Sequence, residues 1–141
     1  MHIEGTVTCL MELNAISVPA RLQGARIEFW EEDTPGSDDD LSEEKPTTDF
    51  NGEFKLSGNI YDGPFTTPDP YILVFHECYS PKSESPIIEG YHYRTWIYLE
   101  PKEGKIELNI KVGKAEAAEM IVVGEDKHYN LNKITTQLIK K

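Results

Sequence analysis

Apolar and polar residues alternate with a period of two along most of this chain, and turn-forming residues bound each alternating run. In the stretch 3–10, Ile3, Gly5, Val7 and Cys9 share one face while Glu4, Thr6 and Thr8 share the other, so a half-buried first strand is expected. A loop closed by Pro19 and Gly24 follows. Ala25, Ile27 and Phe29 then alternate with Arg26, Glu28 and Trp30, a second strand that ends where Glu31, Glu32 and Asp33 begin.

From Asp33 to Pro46 no position repeats as a buried one would, which predicts a long solvated loop. The run Asp49, Phe50, Asn51, Gly52 is a strong turn signal, because Asn and Gly accept positive φ at little cost. It is expected to join Thr47–Phe50 to Glu53–Leu56 as a hairpin. Pro64, Pro68 and Pro70 make the next connection irregular, and Tyr71–Cys78, the most apolar run, reads as a central strand. Tyr91–Leu99 is rich in aromatic and β-branched residues, and Ile106, Leu108, Ile110 and Val112 alternate with polar neighbours. The linking segment Pro101–Gly104 is expected to be a hairpin loop, and Met120–Val123 a last strand. Leu131, Ile134, Leu138 and Ile139 recur at helical spacing behind Asn130 as a cap, which predicts a short C-terminal helix. Seven or eight short strands between turn clusters predict an all-β chain, a two-sheet antiparallel β-sandwich.

Composition narrows the function classes. The chain has 141 residues, enough for one domain with a real core. Its net charge of −11 is unevenly placed: residues 1–70 carry 15 acidic and 4 basic side chains, whereas residues 71–141 carry 10 of each. An acidic chain without a basic stripe repels phosphate backbones, so no nucleic-acid partner is expected. No apolar run approaches the roughly 20 residues that span a bilayer, so no transmembrane segment is expected either. Met1–Cys9 already reads as a strand, which leaves two readings: a cytosolic protein, or one in which Met1 replaces a removed leader.

Five segments carry a recognisable order and spacing: 5–9 (GTVTC), 25–34 (ARIEFWEEDT), 38–41 (DDDL), 48–58 (TDFNGEFKLSG) and 70–78 (PYILVFHEC). Together they resemble the nematode transthyretin-like family over about residues 3–112. The resemblance implies a transthyretin (prealbumin)-like sandwich over 1–112; residues 113–141 have no counterpart in it and read as a C-terminal extension packed on the same domain. It also implies an extracellular, leader-cleaved protein that binds other molecules. No cofactor is expected, calcium apart. Members often carry a second cysteine pair, whereas this chain has only Cys9 and Cys78. Both fall at family positions. If the strand ends that carry them lie side by side, a disulfide would close a loop of about 70 residues; the alternatives are two free buried thiols, or a metal or redox role.

The remaining chemistry is sparse. Asp33, Asp38, Asp39 and Asp40 in the acidic segment offer hard oxygen ligands for calcium, against the plainer reading of a solvated face. The four histidines show no metal-ligand spacing, and His76 in its apolar strand reads as a hydrogen-bonded core residue. His92 lies between Tyr91 and Tyr93, a pairing similar to one in the hydroxyisourate hydrolases of the transthyretin superfamily. Those enzymes end in Tyr-Arg-Gly-Ser and this chain ends in Gln-Leu-Ile-Lys-Lys, so no enzyme is expected. On one side of their strand, His92, Arg94, Trp96 and Tyr98 form a mixed aromatic and cationic stripe, the expected partner-binding surface. The leading function is a secreted module that recognises an extracellular protein or cell-surface ligand. The alternative is an oligomeric carrier of small hydrophobic ligands, held between paired subunits.

Overall fold

A computed structural model describes residues 1–33, 36–60, 68–78, 88–125 and 127–141. Among them every regular element is a strand: β1 (His2–Leu13), β2 (Ile16–Arg21), β3 (Arg26–Glu32), β4 (Asp39–Asp40), β5 (Glu53–Ser57), β6 (Asp69–His76), β7 (Tyr91–Tyr98), β8 (Lys105–Gly113), β9 (Ala117–Val122), β10 (Lys127–Leu131) and β11 (Ile134–Lys140). They form two sheets. The first is ordered β10-β9-β8-β1-β2, with β5 also on β1; the second is ordered β11-β7-β6-β3-β4. No helix among the described residues is long and apolar enough to cross a membrane.

The alternation read from the sequence sets which residues are inside. From the first sheet, Ile3, Val7, Ile106, Leu108, Ile110, Val112 and Met120 point inward, and from the second Ile27, Phe29, Ile72, Val74 and Ile97 meet them; all are essentially inaccessible to water. β1 organises the first sheet. One of its edges runs parallel to β8 from His2↔Lys105 to Leu10↔Gly113, so this sheet is mixed and not purely antiparallel as expected. The other edge is shared, β5 pairing with residues 2–6 and β2 with residues 8–13. Gly5 is required where β5 crosses, because a Cβ there would lie 2.2 Å from the Phe54 ring that covers it.

Four expectations about local structure are corrected. The stretch before Pro19 is β2, not a loop: a turn at Asn14 and Ala15, both at positive φ (51° and 66°), folds it back on β1. Asn-Ala is a weak form of the usual Asn-Gly signal, and Pro19 is tolerated because β2 is an edge strand. The turn at 49–52 forms, with Gly52 N–H donating to the Asp49 carbonyl, but its arms diverge. Glu53–Ser57 joins β1, while Thr48 exchanges backbone hydrogen bonds with Gly24 and Ala25. Similarly, Pro101–Gly104 is no hairpin loop, since β7 and β8 belong to different sheets.

The fourth correction is the C-terminal helix. Residues 134–140 are β11, antiparallel to β7 from Ile134↔Ile97 to Lys140↔Tyr91. Thr135 and Thr136 are β-branched and favour an extended backbone. The edge of β7 also supplies hydrogen-bond partners, which outweigh what a seven-residue helix can offer itself. β9, β10 and β11 thus carry the extension beyond residue 112 into both sheets, β10 covering β9 and β11 covering β7.

Thr48 stitches the first arm to the segment that leads into β3. Buried, it accepts a hydrogen bond from Ala25 N–H at 2.9 Å and donates to the Leu22 carbonyl. Thr48→Val keeps the shape and deletes both bonds, so a destabilisation of about 2 kcal/mol is expected in urea unfolding. A loss below about 0.5 kcal/mol would show that these backbone groups find other partners.

Candidate functional site

The two outer faces of the sandwich differ in kind. Outward positions of the first sheet are largely polar: Glu4, Thr6 and Thr8 on β1, Glu107, Asn109 and Lys111 on β8, Glu53 and Lys55 on β5, with Leu10 and Ile121 as apolar exceptions. Outward positions of the second sheet carry an aromatic and apolar layer, Trp30 on β3, Tyr71, Leu73 and Phe75 on β6, and His92, Trp96 and Tyr98 on β7, of which Tyr71 and Leu73 are themselves buried; Arg26, Glu28, Glu32 and Arg94 flank it. A sandwich whose outer faces both met only water would carry polar residues on each.

All four stripe residues expected from the sequence lie on this face, and β7 places them there by plain alternation, because Tyr93, Thr95 and Ile97 point inward and are buried. Tyr71 stacks on Trp96 with ring centroids 4.1 Å apart and meets Tyr98 edge-on at 5.8 Å. Phe75 lies 5.2 Å from the His92 ring. Arg94 donates to the Gln137 side chain at 3.0 Å, so β11 supports the stripe from the other side. The Trp96 indole N–H is buried without an acceptor among the described residues.

The Tyr71 half of this layer was not legible in the sequence as a site. β6 is apolar on both faces and is buried on both, Tyr71 and Leu73 as well as Ile72 and Val74, so no alternation marks its outward positions. The alternation of Trp30 with Ile27 and Phe29 did mark Trp30 as outward, and its distance in sequence from residues 92–98 hid its place beside them.

Carboxylates edge the aromatic layer at one end. Tyr71 donates its hydroxyl hydrogen to Asp38, and Tyr98 donates to Glu32 at 2.7 Å. Burial first, and then these carboxylates, push both phenols up, Tyr98 to about 12, so each remains a neutral donor. Arg26 and Arg94 stand at the opposite end, where burial first, and then Arg26 and Lys141, push His92 down.

Asp33, Asp38, Asp39 and Asp40 do not converge. Asp38 serves Tyr71 and the Asp33 N–H, Asp40 serves Lys45 and the Ser42 N–H, and Asp39 sits opposite Glu31 in the short β4 pairing. Among the described residues no group of three or more His, Cys, Asp or Glu side chains is arranged to hold a metal ion. The two cysteines do meet: Cys9 of β1 and Cys78, just beyond β6, form a disulfide with Cα atoms 5.7 Å apart that ties the sheets together.

A model of the Transthyretin-like family matches residues 17–93, which run from β2 into the first half of β7. That span holds Trp30, Tyr71, Phe75 and His92, whereas Arg94, Trp96 and Tyr98 lie just past it. Transthyretin-like protein 46 of Caenorhabditis elegans is 37% identical over 79 residues, an alignment covering 51% of this chain and 42% of that protein. The chain therefore spans less than half the length of that relative.

Proposed function

Because the chain belongs to the transthyretin-like family, we propose that it is an extracellular binding module that engages a protein or cell-surface partner through the outer face of its second sheet. The observation that carries this reading is the contrast between the two faces. Trp, Tyr and Arg dominate interface energetics, and here they are concentrated on one face of a sandwich whose other face is largely polar. The disulfide favours the extracellular assignment, since such bonds persist in oxidising compartments.

Binding is preferred to catalysis on chemical grounds. His92 packs beside the Phe75 ring, and of the charged side chains around it Arg26 and Lys141 are cations and Glu77 is engaged by Lys141, so they offer no free general base to work with it. The alternative, a carrier of small hydrophobic ligands, needs paired subunits to hold the ligand between them, so a strictly monomeric protein in sedimentation would remove it.

Fluorescently labelled protein is expected to bind cell surfaces or extracellular matrix saturably. Arg94→Ala combined with Trp96→Leu should weaken that binding about tenfold or more, with unchanged circular dichroism. Thr6→Ala with Asn109→Ala on the opposite face should leave it intact. Equal binding by both variants would remove the second sheet from the recognition surface.

A further inference from the structure

We propose that the partner presents a basic segment, and that one of its lysine or arginine side chains seats against Tyr98 between Glu32, Asp69 and Glu100. This rests on the reading of the second sheet's outer face as the binding surface, and adds the chemistry of what it binds. A cavity of about 600 Å3 opens where β3 ends, β6 begins and β7 ends, with Tyr98 and Leu131 among its walls and Glu32, Asp69, Glu100 and Lys133 around it. Three carboxylates thus face one ammonium group.

Two observations make a cation the fitting occupant. Glu32 and Asp69 stand directly opposite each other across the β3–β6 pairing, an arrangement of like charges that destabilises a sheet unless a cation lies between them. Neither they nor Glu100 forms an ion pair among the described residues. The rings of this face, moreover, already draw cations from the chain itself. Arg26 lies 4.3 Å from the Phe75 centroid, Lys45 5.7 Å from that of Trp30 and Lys133 5.8 Å from that of Tyr98. Lys133 is therefore an internal competitor for the position an incoming side chain would take.

The face also sets a direction. Arg26, Arg94 and Lys141 at the far end repel a basic group, and Glu28 and Glu77 there are already engaged, by Arg26 at 3.1 Å and by Lys141. A basic segment is drawn to the Glu32 end, with its apolar neighbours laid along Tyr98 and Trp96.

The probe is a capped hexa-arginine peptide, with capped hexa-glutamate as control. Binding is followed by calorimetry and by tryptophan fluorescence, since both tryptophans, Trp30 and Trp96, are on this face. Hexa-arginine should bind at one site, and added salt should weaken it. Glu32→Gln with Asp69→Asn, both near-isosteric, should weaken it about tenfold, and Lys133→Gln should tighten it about threefold. Glu4→Gln with Glu107→Gln removes the same charge from the first sheet and should change affinity by less than about twofold.

Absence of binding overturns the inference, as does no tightening by Lys133→Gln. An equal loss from the first-sheet pair also overturns it, because the attraction is then only that of an acidic protein for any polycation. If cell-surface binding still depends on Arg94 and Trp96 while hexa-arginine fails, the binding face stands and its basic partner falls. If hexa-arginine binds as expected while the Arg94 and Trp96 variant keeps full cell-surface binding, the carboxylate site stands and the wider face does not.

Discussion

Replacing Cys9 and Cys78 together by alanine is expected to remove roughly 4 kcal/mol of stability. The bond spans a sequence separation of 69, and restricting an unfolded loop of that length is worth between the roughly 3 kcal/mol of a 15-residue loop and the roughly 4.7 kcal/mol of a 100-residue one. Its placement adds a local reason. Cys9 lies beside Ala20 of β2 and Val112 of β8, at the end of the sandwich where the β1–β2 hairpin leaves the core. Cys78 reaches it from the second sheet across a spot kept clear by Gly113, where a Cβ would lie 2.5 Å from the Leu10 carbonyl oxygen and 2.7 Å from the Cys78 sulfur. Gly113 also has φ of 100°, which disfavours any other residue there. Urea unfolding with and without reductant measures the effect. At a slope of about 1.5 kcal/mol per molar, the midpoint should fall by roughly 2.5 M. A loss under about 1 kcal/mol would mean that packing alone already fixes the two sheets.

The sandwich was readable because β1, β3, β7 and β8 alternate, and alternation reports a sheet with one buried face. Ile3, Val7, Ile27, Phe29, Ile106 and Leu108 are all found inside as their spacing requires. Pairing was not readable to the same degree. Asp49–Gly52 signals a turn from local chemistry, yet which edge each arm joins is decided by distant strands, so the expected hairpin is a crossover between sheets. The tail was misread for a related reason. Leu131, Ile134 and Leu138 satisfy a helical spacing, but the edge of β7 selects the extended form, and no local signal describes that edge. The stripe at His92, Arg94, Trp96 and Tyr98 needed only its own strand and was legible; the Tyr71 layer beside it needed the β6–β7 register.

That register also places a titratable group where acid should unfold the protein. His76 is buried next to the disulfide, and its ring is held at both nitrogens. Nδ1 accepts the Cys78 N–H at 3.1 Å, so the ring hydrogen resides on Nε2 and is donated to Thr95 Oγ1 at 2.8 Å; Thr95 in turn meets Thr136 Oγ1 at 2.9 Å. A second ring proton would have to enter at Nδ1, against the Cys78 N–H and inside the core. Burial first, and then the neighbouring His92, accordingly lower the pKa of His76 to about 4, from about 6.5 in an unfolded chain. Between these values the unfolded chain holds the extra proton and the folded one does not. Stability therefore rises with pH across the window and is lost as pH falls from about 6.5 to about 4. At about 1.4 kcal/mol per pH unit, the loss from this one side chain is about 3 kcal/mol. Unfolding free energies measured at several pH values should show that slope. His76→Gln should be less stable near neutrality, since it gives up the acceptor for Cys78 N–H, but its stability should stay nearly level across the same window. An undiminished slope in His76→Gln would assign the acid sensitivity to other groups and leave His76 as packing alone.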